Sequence, residues 1–370
     1  MKKLILLLCS LLTLHALTAC KQKKEPILIG LSVNLTGKGG MAGEYIREGA
    51  MLAVEEVNNR GGVNGRPLKL VVRDDTNSTE GIRQADQELM QAGVVAIIGH
   101  TYSDSTLKAY PQVMAQGKTL LITGYTATDK LSGKDDLFFR TSVATPAYSE
   151  AAVRLLKARG LRSIVIVEDK ANASFSEEIA RGIKQRFDGE VAAITADSQG
   201  EIQWGAIVRS VQQHKPGAVF LLTEVATTGV AAQKLRATGY HGDLLATLWA
   251  QTPDLIRFGG ESVEGLTILT FIAQDNPRLA YRRFATTMEK RFGKAATART
   301  DRAYELVTIL AAALEKCPTP NAAELKQALL TQPFETLLST VRFDRFGDVV
   351  RPILAVQVTN GSFRTLGEIK

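Results

Sequence analysis

The sequence predicts an α/β protein of two doubly wound parallel-sheet lobes with a cleft between them. Three observations carry this reading. Short apolar runs without polar alternation recur along the chain, as strands buried on both faces require. Helical patterns separate them, which is the signature of parallel sheets covered on both sides. The rhythm plays through twice, with a break near Phe139-Arg140-Thr141-Ser142.

The elements follow in order. Ile27-Leu28-Ile29-Gly30-Leu31-Ser32-Val33 reads as a buried strand. Apolar residues at Ile46, Ala50, Ala53, Val54 and Val57 mark a helix face. Gly61-Gly62 ends that helix and Gly65-Arg66-Pro67 turns the chain. Leu68–Val72 is the next strand, and Ile82, Ala85, Leu89 and Ala92 the next helix. Val94–Ile98 and Leu120–Thr123 are buried strands again. The second round places strands at Ser163–Val167, Val191–Thr195, Ala218–Thr223 and Leu244–Leu248. Trp204 falls in the helical pattern Ile202, Ile207, Val208, Val211 and reads as core. Material like the break returns around Thr270 and around Phe343–Gly347. Ligands of open α/β sheets bind beyond the carboxyl ends of the strands, so two facing sheets make a cleft that hinge closure can seal.

The start of the chain predicts export. Lys2 and Lys3 precede an apolar run, Leu4 to Leu17, that is too short to span a bilayer comfortably. Leu17-Thr18-Ala19-Cys20 resembles the lipobox of bacterial lipoproteins. It implies a signal peptide over 1–19, lipid on Cys20, and a tether over 20–26. The expected location is the periplasm or the outer face of the cell membrane. Cys9 then leaves with the leader and Cys317 stands alone, so no disulfide and no CxxC pattern is expected. About 350 residues remain, enough for two domains. The formal charge of +7 falls to +5 once Lys2 and Lys3 are removed. It is spread without an arginine-rich block or aromatic interleaving, which argues against nucleic acid as a partner.

The residues then carry a family resemblance. Ile29-Gly30-Leu31, Leu35-Thr36-Gly37, Gly49-Ala50, Ala53-Val54, Asn58, the run Gly61-Gly62-Val63-Asn64-Gly65-Arg66 and Asp74-Asp75 resemble the branched-chain amino acid-binding proteins. These are type I periplasmic binding proteins of ABC uptake systems. Ile98-Gly99-His100, Ser103-Asp104-Ser105-Thr106, Gly260–Leu266, Tyr304-Glu305, Phe343-Asp344 and Gly347-Asp348 continue the likeness over nearly the whole chain after the tether. The resemblance implies two lobes joined by three crossover segments: 27–141 plus 272–342, and 142–271 plus 343–370. It also implies a cleft site, an ABC permease as partner, a monomer, no cofactor and no catalysis. A sensory subunit for a membrane receptor is the alternative with the same fold.

The resemblance supplies site residues. Ser103 matches the serine that bonds a ligand carboxylate, and a hydroxyl at a helix N-terminus suits an anion as well as it suits a cap. Tyr125, Thr126, Ala127 and Thr128 match the second carboxylate-binding loop, with Ala127 where the family has threonine. Phe175 matches an aromatic that closes over the ligand. Glu224 falls where amino-acid binders carry another aromatic. Their acid for the ligand ammonium would fall at Leu248 or Trp249, and Arg299 stands near a usual aromatic. Asn77 and Tyr102 occupy the two positions of the family's disulfide. An α-amino acid needs a carboxylate in the cleft, since an unpaired buried ammonium is costly. Glu224 is the candidate; if it points away, the ligand has no amine. Tyr102, Tyr125, Phe175 and Trp249 all follow strands, which favours a ligand with an apolar or aromatic body. The expected ligand is a small carboxylate, an amino acid or an aromatic acid.

Rival motifs are weaker. Gly37-Lys38-Gly39-Gly40-Met41-Ala42-Gly43 suggests a dinucleotide loop of an NAD-dependent oxidoreductase, with Asp74 or Asp75 on the ribose. However, Asn34-Leu35-Thr36 separates strand from glycines and the acids come late. Ser105-Thr106-Leu107-Lys108 is an SxxK string without its partner motifs. His100, His214 and His241 stand singly, without metal-site or triad spacing.

Overall fold

The computed structural model describes residues 24–370. The leader, the tether's first residues and Cys20 lie outside the described part. Fourteen strands form a five-stranded sheet, a seven-stranded sheet and a two-stranded ribbon.

The first sheet holds β1 (Ile27–Val33), β2 (Leu68–Asp74), β3 (Ala96–Gly99), β4 (Leu120–Thr123) and β5 (Phe138–Arg140), in the order β2-β1-β3-β4-β5, all parallel. Every residue of β3 and β4 is buried, as their unbroken apolar runs require. One face packs on α1 (Gly40–Asn59), α10 (Ala298–Leu314) and α11 (Ala322–Thr331). The other packs on α2 (Thr79–Gln91) and α3 (Ser103–Gln116).

The second sheet repeats that winding. β6 (Ser163–Asp169), β7 (Glu190–Ala196), β8 (Ala218–Leu222), β9 (Asp243–Thr247) and β10 (Thr267–Thr270) run parallel in the order β7-β6-β8-β9-β10. Its helices include α4 (Thr145–Ala158), α5 (Ala173–Arg186), α6 (Trp204–His214) and α7 (Val225–Ala237). α8 (Asp254–Gly259) follows β9, and α9 (Leu279–Phe292) leads back toward the first lobe. Two antiparallel strands, β13 (Leu354–Thr359) and β14 (Ser362–Glu368), extend the sheet beyond β10. The small ribbon is β11 (Phe334–Glu335) with β12 (Thr340–Val341).

The chain thus passes between the two sheets three times: after β5, after β10 and after β12. The first and third crossings are tied together. Arg140 is fully buried, pairs with Asp348 at 2.7 Å and donates to Thr128 O at 2.8 Å. Its backbone N–H donates to Gly347 O. Gly347 has φ +80°, and a Cβ there would stand 2.5 Å from Phe138 O, so glycine is required twice over. Phe343 meets Phe139 and Phe334 edge-on within the first core.

Several bonds join the lobes across the cleft. Asp104, at the start of α3, accepts from Ala173 N and Ser174 N at 2.8 and 3.1 Å and so caps α5 from the opposite lobe. Lys38 donates to Gln199 O and Gly200 O, and Tyr45 to Asp254. Glu178 of α5 accepts from Thr128 and from Asp129 N. The lobes are closed on each other.

Candidate functional site

The cavity is built from strand ends. β3 runs into Thr101, Tyr102 and the start of α3. β4 runs into the loop Gly124–Thr128, and β6 into Asn172 and the start of α5. β9 runs into the 3-10 turn Leu248–Ala250. These segments meet between the lobes, beyond the carboxyl ends of both sheets, where the fold leaves its crevice. The cavity volume is ≈ 30 Å³. Its wall includes Tyr102, Tyr125, Tyr148, Phe175, Trp249, Arg299 and Arg302, with Thr101, Ala127, Ser142, Asn172 and Leu248.

The aromatic rings form a continuous chain. Tyr102 meets Trp249 at 6.0 Å, Trp249 meets Phe175 at 5.9 Å, and Phe175 meets Tyr148 at 5.8 Å, all edge to face. Tyr125 lies under the Arg302 guanidinium at 4.4 Å and donates its hydroxyl to Arg299 O.

The charge of the wall has one sign. Arg299 and Arg302 stand one turn apart at the amino end of α10, and no acidic side chain lines the cavity among the described residues. Arg302 donates to Ala298 O and Gly124 O, and Arg299 makes one long contact of 3.5 Å with Trp249 O. Neither forms an ion pair, whereas the buried Arg351 pairs with Glu305 and Arg140 with Asp348. Burial, then the nearby Arg299 charge, push the Arg302 pKa down to about 10, and it stays charged at neutral pH. Asp301, between them in sequence, is fully buried, and burial raises its carboxyl to about 8. It accepts from Tyr281 and Thr300. Cations at a helix amino end oppose the helix dipole. Two further buried donors in the wall, Tyr148 Oη and Trp249 Nε1, have no partner. This arrangement suits an anion that brings acceptors.

Of the residues singled out from the sequence, the structure brings Tyr102, Tyr125, Ala127, Phe175 and Trp249 into this wall. Ser103 stands one bond behind it: its Oγ accepts from Ala127 N at 3.0 Å. Thr126 is turned inward, sharing a hydrogen bond with Thr106, and Thr128 donates to Glu178. Glu224 is outside the cavity. Its carboxylate accepts from Ala226 N, Thr227 N and Thr227 Oγ1, and so caps α7. It faces an outer groove with Lys38, Met41, Trp204 and Phe258, and lines a small neighbouring pocket together with Tyr102 and Arg299. Trp204 packs on the second core and also borders that groove. His100 is fully buried against Asp86 at 3.1 Å, away from the wall.

Sequence reasoning missed Arg302, Tyr148 and Asn172. Arg302 carries a usable signal, since Arg299 and Arg302 put two cations at i, i+3 in a first helical turn. Tyr148, inside a helix after Thr145-Pro146, carries none. The rival glycine loop has a packing role: a Cβ on Gly43 would stand 1.9 Å from Asn34 O. Asp74 accepts from Leu35 N, Thr36 and Thr76 N, and Asp75 is fully buried, so neither is presented to a ribose. Among the described residues, no group of three or more His, Cys, Asp or Glu side chains could hold a metal ion, and no helix is long and apolar enough to cross a membrane.

Comparison with known proteins agrees with this fold. The leucine-, isoleucine-, valine-, threonine- and alanine-binding protein of Pseudomonas aeruginosa is 23% identical over 331 residues, covering 88% of this chain and 87% of that protein. A Leu/Ile/Val-binding protein homolog of Brucella suis is 25% identical over 355 residues, 88% of each chain. A leucine-binding protein from Thermotoga maritima superposes with a TM-score of 0.83 at 22% identity, covering 92% of this chain and 97% of that one. A solute-binding protein of an ABC transporter from R. palustris, in complex with benzoate, superposes at 0.84 and 18% identity, covering 93% and 96%. The periplasmic binding protein family matches residues 26–362. The chain belongs to the periplasmic binding protein family and has the fold of its branched-chain amino acid-binding members.

Proposed function

We propose that this protein is the extracytoplasmic solute-binding lipoprotein of an ABC uptake system, and that it captures a small carboxylate-bearing ligand between its lobes. The observation that carries this is the closed interlobe cavity, whose only charged lining residues among those described are Arg299 and Arg302. A carboxylate is the common small anion with enough acceptors for both guanidiniums.

In this reading the lobes comprise 27–141 plus 272–342 and 142–271 plus 343–370, and open about the three crossings. Tyr102, Tyr125, Ala127, Phe175 and Trp249 touch the ligand, and Ser103 holds the Ala127 loop in place. Relatives support a carboxylate: the Pseudomonas aeruginosa protein is named for amino acids, and the R. palustris structure holds benzoate. Lipid on Cys20 keeps the protein near a membrane permease, as Leu17-Thr18-Ala19-Cys20 suggests.

A thermal-shift screen of amino acids and aromatic acids tests the reading. A ligand at one hundred times its Kd stabilises by about 2.7 kcal/mol. No shift with any carboxylate would sink it. Cys20→Ala should move the protein out of the membrane fraction; retention there would refute the anchor.

A further inference from the structure

The chemistry of the cavity wall narrows the ligand further. The buried groups of the wall without a partner among the described residues are Tyr148 Oη and Trp249 Nε1, both able to donate, and the Arg299 guanidinium beside them makes only one long contact. An α-amino acid zwitterion would bring a carboxylate to them, and also an ammonium with three more donors and a charge of the same sign. No acidic side chain lines the cavity to receive it. Glu224 commits its oxygens to the start of α7 and lines the neighbouring pocket with Tyr102 and Arg299, not this cavity. A buried ammonium without a counter-ion is strongly disfavoured. The wall also carries five aromatic rings, Tyr102, Tyr125, Tyr148, Phe175 and Trp249, beside the uncharged Thr101, Ala127, Ser142, Asn172 and Leu248. Rings at that density pack a flat ligand edge to face and stacked.

We propose that the cavity selects an amine-free aromatic monocarboxylate of the benzoate class, its carboxylate held by Arg299 and Arg302 and its ring enclosed by Tyr148, Phe175 and Trp249. This rests on the carboxylate-binding reading above and goes beyond it in excluding α-amino acids. Tyr148 and Trp249 line the same cavity as the two guanidiniums, so both orphan donors are available to one carboxylate.

Titration calorimetry on the purified protein tests this, with benzoate, 4-hydroxybenzoate, L-phenylalanine, L-leucine and benzyl alcohol as probes. The aromatic acids should bind at least about 100-fold more tightly than either amino acid, as one uncompensated buried charge implies. Benzyl alcohol should not bind measurably. Arg299→Gln should weaken benzoate at least about tenfold, the scale of one charge-assisted hydrogen bond. Arg299 makes only one long protein contact, so that variant keeps its fold, and an unchanged ligand-free melting temperature checks this. Arg302→Lys, which retains the charge but loses the fork, should weaken benzoate as well. L-leucine or L-phenylalanine binding as tightly as benzoate would overturn this inference and leave the carboxylate reading intact. An unaffected Arg299→Gln would also overturn it. Failure of every carboxylate would remove the carboxylate reading, and this inference with it.

Discussion

The two walls of the cavity differ in kind. The first lobe contributes Arg299, Arg302, Thr101, Tyr102, Tyr125 and Ala127, which include all of its charge. The second contributes Tyr148, Phe175, Leu248 and Trp249 together with the uncharged polar Ser142 and Asn172. The first wall is a receptor for charge and the second a cover for an apolar body. A ligand can dock its anionic end on the open first lobe, and closure then adds the aromatic contacts. Direction and affinity are thereby assigned to different lobes.

This division can be broken from either side. The largest effect is expected at the charged wall: Arg302→Met should reduce binding of an aromatic acid by about 3–4 kcal/mol, since it strips one side of a buried charge pair. Calorimetry reads the loss, and a change under 1 kcal/mol would contradict the division. On the apolar wall, Trp249→Ala should cost about 2–3 kcal/mol, typical of a buried aromatic anchor. It should act on dissociation rate more than on association rate, because the second lobe arrives last; stopped-flow kinetics distinguishes the two. At the join, Asp104→Ala should cost about 1 kcal/mol of closure by uncapping α5. Small-angle scattering of the variant should then show a larger open population at subsaturating ligand. A separate effect, on folding stability, concerns Asp301. Its folded pKa is raised by burial to about 8, above its unfolded value. The stability it contributes is therefore complete below about pH 4 and is lost as pH rises through about 8. Chemical denaturation between pH 6 and 9 should show this decline, and Asp301→Asn should flatten it. Ionised Asp301 would also partly neutralise Arg302, so binding of an anion should weaken over the same range.

The parts of the molecule differ as much in how far the sequence discloses them. β1, β3 and β4 are legible because both faces are buried, which leaves apolar runs with nothing to interrupt them. β13 and β14 are not, because they pair antiparallel at the sheet edge. There β14 alternates intermediate and exposed positions, a pattern shared with surface loops. Within the site, aromatic residues just after strands are readable, since strand ends face the crevice whatever the ligand. Tyr102, Tyr125 and Trp249 follow that rule. Arg302 and Tyr148 sit inside helices, where only the helix's rotation decides whether a side chain faces solvent, core or cavity. Glu224 shows the converse: it follows a strand, yet two backbone N–H groups of its own helix claim its carboxylate first. The three crossings are expected from the family resemblance. Only the coordinates reveal that Arg140 locks two of them together.

The unpaired guanidiniums of α10 have one further consequence. With the lobes apart, water solvates them. If the lobes shut on an empty cavity, that hydration is stripped with nothing in exchange, at a cost of roughly several kcal/mol per ion. The incoming anion removes the penalty by supplying the missing half of two ion pairs. The closed shape is then a report that cargo is aboard. A membrane partner that recognises only that shape would be spared futile visits from unloaded carriers, with no separate sensor needed to tell full from empty.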